Sequence, residues 1–177
     1  FKAHPEWFYP HNDPSVYGQL CWTNQSLIEY VKGQTKKFLS SQPNARIISI
    51  SQNDNGNYCR DPAEMAVIQA EGSPMGPLLR AVNQIARSIA DEFPLVAVDT
   101  LAYQYSQPPP NITQPEPNVI IRLCDISSNS GAQIVESCTD LLLALLTRRR
   151  PAGAPLTDPS NELFNSVING WNAITQR

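Results

Sequence analysis

Apolar residues recur at helical spacing in three places along the chain. Leu27, Ile28, Val31, Thr35, Phe38 and Leu39 form one stripe, opened by Thr23 or Asn24 as a cap. Leu78, Leu79, Val82, Ile85, Ala86, Ile89, Ala90 and Phe93 form a second. It begins near Pro74-Met75-Gly76-Pro77, where proline suits a first turn, and stops at Pro94. Leu163, Phe164, Val167, Ile168, Trp171 and Ile174 form the third, behind Asp158-Pro159. Short apolar runs separate the stripes: "VYGQLC" (16–21), "RIISIS" (46–51), "LVAVDTLAYQY" (95–105) and "NVIIRLCDI" (118–126). These predict strands. The isoleucines of "RIISIS" predict one covered on both faces. The proline-rich "SQPPPNITQPEP" joins the third and fourth strands without a helix. Residues 1–15 read as a polar, aromatic loop, 51–73 as a polar loop, and "AQIVESCTDLLLALL" (132–146) as an apolar helix.

Strand, helix, strand, helix, strand, loop, strand, helix is an α/β order, and it implies a parallel sheet with right-handed crossovers. A doubly wound sheet and a (β/α) barrel both fit. No glycine-rich phosphate loop follows a strand, which disfavours the nucleotide-binding version of the former. A full barrel takes about 250 residues. The expected fold is therefore a partial (β/α)8 TIM barrel, with roughly four parallel strands and flanking helices. The remaining part of its own chain, or another chain, would complete it. The chain opens on Phe1 without an initiator methionine, which reads as a piece of a longer or processed protein.

Barrel chemistry collects at the C-terminal ends of strands. Here those ends read Cys21-Trp22, Gln52-Asn53-Asp54, Tyr103-Gln104-Tyr105 and Arg122 through Cys124 to Asp125. Polar, aromatic or charged groups stand at every one. The same topology sets Cys21 and Cys59 over neighbouring strands. If disulfides form, Cys21–Cys59 and Cys124–Cys138 are the favoured pairs, with free buried thiols as the alternative. No CxxC motif or Cys/His cluster points to a metal, and no cofactor motif is present.

Composition narrows the class. The 177 residues are 41% hydrophobic and 16% charged, with a formal net charge of −3. That charge gives no basic footprint for nucleic acid. No apolar run approaches the roughly 18 residues that span a bilayer. Sixteen prolines, few charges and the sequons at Asn24 and Asn111 point to the secretory pathway or the extracellular space. Asn111 follows three prolines and is the better glycan acceptor, whereas Asn24 also reads as a helix cap.

Six ordered motifs, "HPEWF", "QLCWTN", "SISQNDNGNYC", "EGSPMGPLLRAVNQIA", "DTLAYQY" and "NVIIRLCDI", span residues 4–126. The sequence resembles a domain-of-unknown-function family found in polysaccharide-degrading proteins. In those proteins it is joined to N-terminal domains like those of alpha-glucuronidases and beta-hexosaminidases. The resemblance implies one glycoside-hydrolase-like TIM-barrel domain over 1–177. Two segments depart from it. Bacterial relatives carry further cysteines after the position of Cys59, where this chain reads "CRDPAEM", and residues 127–157 look like an insertion.

Glycoside hydrolysis uses two carboxyl groups. Asp54 is the first candidate, as acid or base; the competing reading of "NDNGN" is an Asx-type turn. Asp125 is the second, or else the partner of Arg122 in a structural ion pair. Gln52, Asn53, Trp22, Tyr103, Tyr105 and Arg122 are candidate substrate contacts. Their aromatic rings would stack on sugar, and the Arg122 fork would bind hydroxyls or a uronate carboxylate. Asp99 reads as part of a buried network, His4 and Glu6 as loop anchors, and Glu64 and Glu71 as solvated. The expected partner is carbohydrate, and the rival reading is a non-catalytic glycan-binding or structural module.

Overall fold

The second stripe builds the centre of the molecule. In a computed structural model, which describes residues 3–10, 18–124 and 162–175, it forms a helix over Met75–Ala90. The described elements in chain order are β1 (Phe8–Tyr9), β2 (Gln19–Leu20), α1 (Gln25–Ser41), β3 (Ile47–Ser49), α2 (Pro62–Glu71), α3 (Met75–Ala90), β4 (Ala97–Ala102), β5 (Val119–Leu123) and α4 (Glu162–Thr175). Short 3-10 turns occupy Pro5–Trp7 and Gln104–Ser106. The expected helix at 132–146, the insertion 127–157, Asp125 and Cys138 lie outside the described residues.

Leu78, Leu79, Val82, Ile85 and Ile89 of α3 are fully buried. Each contributes about 1.5–3 kcal/mol of apolar burial. Leu78, Leu79, Val82 and Ile89 share a core with Leu27, Ile28 and Leu39 of α1, Val98 and Ala102 of β4, and Trp171 of α4. The cap of α1 is Asn24, whose side-chain oxygen accepts from the Leu27 N–H. Phe38 of the first stripe and Leu163 of the third are exposed. His4 stacks on Trp7 with ring centroids 3.8 Å apart and bonds Glu6, so the N-terminal segment is anchored as expected.

β3, β4 and β5 form a parallel sheet in sequential order, with Ser49, Asp99 and Ile120 in register. The segment expected as a fourth parallel strand behaves otherwise. Gln19–Leu20 pairs antiparallel with Phe8–Tyr9, inside the stretch read as loop. The Cys21 N–H donates to the Trp7 carbonyl at 2.8 Å and holds that ribbon together. The sheet is also covered on one face only by the described helices. On that side Val98, Thr100 and Ala102 are buried. On the other, Ile47 is 52% and Ile120 42% exposed. The apolar run of "RIISIS" was expected to be covered on both sides; among the described residues β3 is instead an edge strand with an open face.

The β4–β5 crossover has no helix, as the prolines require. It lies as an extended strap along α2 and α3. Asn83 accepts from the Glu116 N–H and donates to the Gln114 carbonyl, while Asn118 donates to the Ala86 carbonyl. Glu71 anchors the strap. Its carboxylate accepts from the N–H groups of Ile112 (2.9 Å) and Thr113 (3.0 Å), from the Thr113 hydroxyl and from Arg80 (2.8 Å). Two glycines make room. Gly72 ends α2 at φ +65°, a left-handed turn where Asn111 packs against the bare Cα. Gly76 lets α3 start directly against the Glu71 side chain.

Glu71 and Glu64 were expected to be solvated, and both are buried. The cause is α2, which the reading of 51–73 as a loop omitted. Its stripe is weak, but Asp61-Pro62 followed by Glu64 is a helix-start pattern that could have revealed it.

Candidate functional site

Three segments converge where the parallel strands end. The first follows β3. Ser51 accepts the Leu101 N–H through its hydroxyl, and Gln52 donates to the Tyr103 carbonyl at 2.9 Å while accepting from the Ser106 hydroxyl. The amide of buried Gln19 staples the next residues. It donates to the carbonyls of Asn53 and Asn55 at 2.7 Å and accepts from the Asn53 N–H. The far end of this loop is tied by the disulfide Cys21–Cys59. A loop of Asn, Asp and Gly is thus fixed at both ends and in the middle.

Asp54 stands at its tip, exposed to solvent. Its N–H donates to Asn53 Oδ1 at 3.0 Å, and its carboxylate accepts from Gln104 Nε2 at 3.3 Å; the Asx turn of this loop is made by Asn55, whose Oδ1 accepts the Asn57 N–H at 2.9 Å. Gln104 adopts φ +50°, the only non-glycine residue among those described with a positive φ. That conformation costs an L-residue roughly 1–2 kcal/mol. The Asx turn therefore lies just beyond Asp54 and leaves its carboxylate outside the turn.

A cavity of about 280 Å³ is lined by Gln52, Asp54, Leu101, Tyr103 and Cys124. Gln52 also lines a neighbouring cavity of about 340 Å³, with Asn53, Gln19, Trp22 and the apolar Phe8 and Leu20. The Trp22 ring is 5% exposed and its indole N–H meets no acceptor among the described residues. Tyr105 lines neither cavity; its ring packs against Tyr58 at 5.4 Å, and burial, then the charge of Glu64, push its hydroxyl far above the usual range. The amides of Gln52 and Asn53 are spent largely on holding the loops.

Arg122 pairs with Asp99, not with its chain neighbour Asp125, which lies outside the described residues. Nη2 of Arg122 is 2.6 Å from Oδ2 of Asp99, and Asp99 is buried. The pair is diagonal across β4 and β5, because Asp99 registers with Ile120. Cys124 has no disulfide partner among the described residues. Asn111 is exposed, and the Asn24 sequon is engaged, with Ser26 bonded to both Asn24 and Trp7.

Glu64 was missed as a site-supporting residue. Its carboxylate accepts from the N–H groups of Trp22 (3.2 Å) and Thr23 (2.9 Å) and from the Thr23 hydroxyl (2.7 Å). Desolvation by burial pushes its pKa above the usual carboxylate value despite those bonds. Among the described residues, Cys21, Cys59 and Asp61 form one group with metal-ligating types, but its sulfurs are joined to each other.

A family model described as "Domain of unknown function (DUF4838)" matches residues 1–177. The chain belongs to that family. No curated protein and no solved structure matches this DUF4838 chain. Among its described residues no helix is long and apolar enough to cross a membrane.

Proposed function

We propose that this DUF4838 domain recognises carbohydrate at its strand-end face, as an arc of a glycoside-hydrolase-type (β/α) barrel in a secreted protein. One observation carries the reading: two strand-end loops close on Asp54 beside Tyr103, and one of them holds Gln104 in a strained conformation to reach it. Strain of this kind persists where the surrounding structure imposes it, and it clusters at functional sites. The sequential parallel strands with helices on one face agree with a barrel arc, whose interior would be the open face. The disulfide and the exposed Asn111 sequon agree with an oxidising compartment.

Binding comes before hydrolysis in this reading. Hydrolysis needs a second carboxyl about 5–9.5 Å from the first. Asp54 is the one carboxylate that lines the two cavities among the described residues, and Asp125 is the candidate for the other. The same observation keeps the non-catalytic glycan-binding module as the second reading.

The test uses the full chain with neutral and acidic oligosaccharides by calorimetry, and with chromogenic glycosides and uronides for release. Asp54→Asn and Asp125→Asn are measured alongside. Release lost in both variants makes the domain a hydrolase. Binding without release, weakened in Asp54→Asn, makes it a binding module. Folded protein that neither binds nor cleaves any probe overturns the proposal.

A further inference from the structure

Arg122 is the only basic residue in the three parallel strands. Its register partner on β4 is Leu101, which lines the Asp54 cavity. Cys124, two residues further along and on the same face, lines that cavity too. Neighbouring strands lie about 4.8 Å apart, and residues i and i+2 about 6.6–6.8 Å apart. Arg122 is not itself a lining residue: its backbone stands on the open face beside Leu101 and two residues below Cys124, and its guanidinium rests back on Asp99, from which the exposed fork would have to reach up to the cavity floor.

The residue is oriented but not used up. Asp99, 1% exposed, holds Nη2 from beneath, while the Arg122 side chain remains 62% exposed. A guanidinium has five N–H donors in a rigid fork, and Asp99 is its one ionic partner among the described residues. An exposed arginine fixed by a buried carboxylate loses less freedom on meeting a ligand than one that moves freely. Its planar fork matches a carboxylate in two places. Resting on the carbohydrate reading above, we propose that the glycan carries a carboxylate. A uronate ring would sit in the Asp54 cavity with its acid group on Arg122 and its neutral hydroxyls toward Asp54, where a negative charge would be repelled. Asp99 is then a positioning residue.

The experiment compares three sets of trisaccharides on the full chain by calorimetry: uronates, their neutral counterparts, and neutral sugars bearing a sulfate ester. Uronates should bind at least tenfold more tightly than the neutral sugars, and the preference should shrink in high salt. Arg122→Gln should erase the preference, bringing uronate affinity down to that of the neutral sugars in the same variant. Arg122→Lys should keep part of it, since charge remains without the fork. Asp99→Asn should lower the ratio of uronate to neutral affinity, which a purely structural role would not do. Should Asp99→Asn fail to fold, Arg122→Gln decides alone. Equal binding of uronates and neutral sugars, a preference for the sulfate ester, or a preference surviving Arg122→Gln overturns the inference and leaves carbohydrate recognition standing. No binding of any trisaccharide defeats both.

Discussion

Replacing Glu71 with alanine removes the hub that fixes the β4–β5 strap. Two backbone N–H groups, one hydroxyl and the Arg80 guanidinium lose a shared acceptor in a place closed to solvent. Hydrogen bonds to a charged group contribute about 1.5–3 kcal/mol each, but five contacts to one carboxylate do not add. Arg80 is half-exposed and can turn to water, so the loss is set by the donors left without an acceptor, about 1–3 kcal/mol each and less than additive, or about 3–5 kcal/mol together. It corresponds to a fall in melting temperature of about 6–20 °C for a domain of this size. Denaturant unfolding should show a lower midpoint at unchanged slope. The dependence on pH gives an independent check. Burial raises the Glu71 pKa, but the bonds from Thr113, Arg80 and Ile112 together outweigh it and leave the carboxyl below its usual value. A carboxyl held lower in the folded chain stabilises it above the unfolded value of roughly 4.3. That contribution is lost as pH falls through the folded value. Wild-type stability should therefore drop below about pH 4 with a component that Glu71→Gln lacks. A loss under 1 kcal/mol in Glu71→Ala, or the same acid slope in Glu71→Gln, would refute the argument.

Three further outcomes are expected. Cys21→Ser with Cys59→Ser opens a loop of 38 residues; the chain-entropy relation gives about 4 kcal/mol, read as a lower unfolding midpoint under non-reducing conditions, and an unchanged midpoint would contradict it. Glu64→Gln should show the opposite pH trend to Glu71→Gln: with the folded pKa raised, the Glu64 contribution is full below the unfolded value and fades as pH rises through the folded one, so the wild type should lose ground to the variant between acid and neutral pH. Melting curves of both proteins that stay parallel from pH 3 to 8 would rule that out. Gln104→Gly should relieve the φ +50° conformation and raise stability by about 0.5–1 kcal/mol while weakening glycan binding, and a destabilised variant would remove the strain argument.

Long-period features were legible in the chain. The stripe from Leu78 to Ile89, the Asn24 cap and the helix-free proline crossover follow from spacing and turn chemistry. The Cys21–Cys59 pair forms as favoured, but the parallel strand argued to carry Cys21 there is an antiparallel ribbon instead. What escaped has a common cause: it depends on partners distant in sequence. α2 has apolar residues spread around its surface, so its helical period is faint, and the polar Glu64 and Glu71 are its buried residues. Each is buried because donors from residues 22–23 and 112–113 meet it there. Gln19–Leu20 has only two paired residues, too few for any pattern to reveal direction. At the site, Gln52, Asp54 and Tyr103 do come together, because strand ends in one parallel sheet must. Tyr105 does not, because the 3-10 turn after Tyr103 carries it beneath the surface toward Tyr58.

The strap and the last helix are tied late in the order of synthesis. The Trp171 indole donates to the Gln107 carbonyl at 2.8 Å, across 64 residues, and Gly170 lets α4 sit close against Pro109. Until α4 has emerged from the ribosome, Gln107 lacks the Trp171 donor and Pro109 lacks its contact with Gly170. Such distant pairing slows folding and leaves apolar surface bare in the meantime. A nascent chain paused before residue 162 would carry an α3 core that still lacks Val167 and Trp171, and a proline strap without α4 against it, so chaperone capture should peak there and end once Trp171 docks.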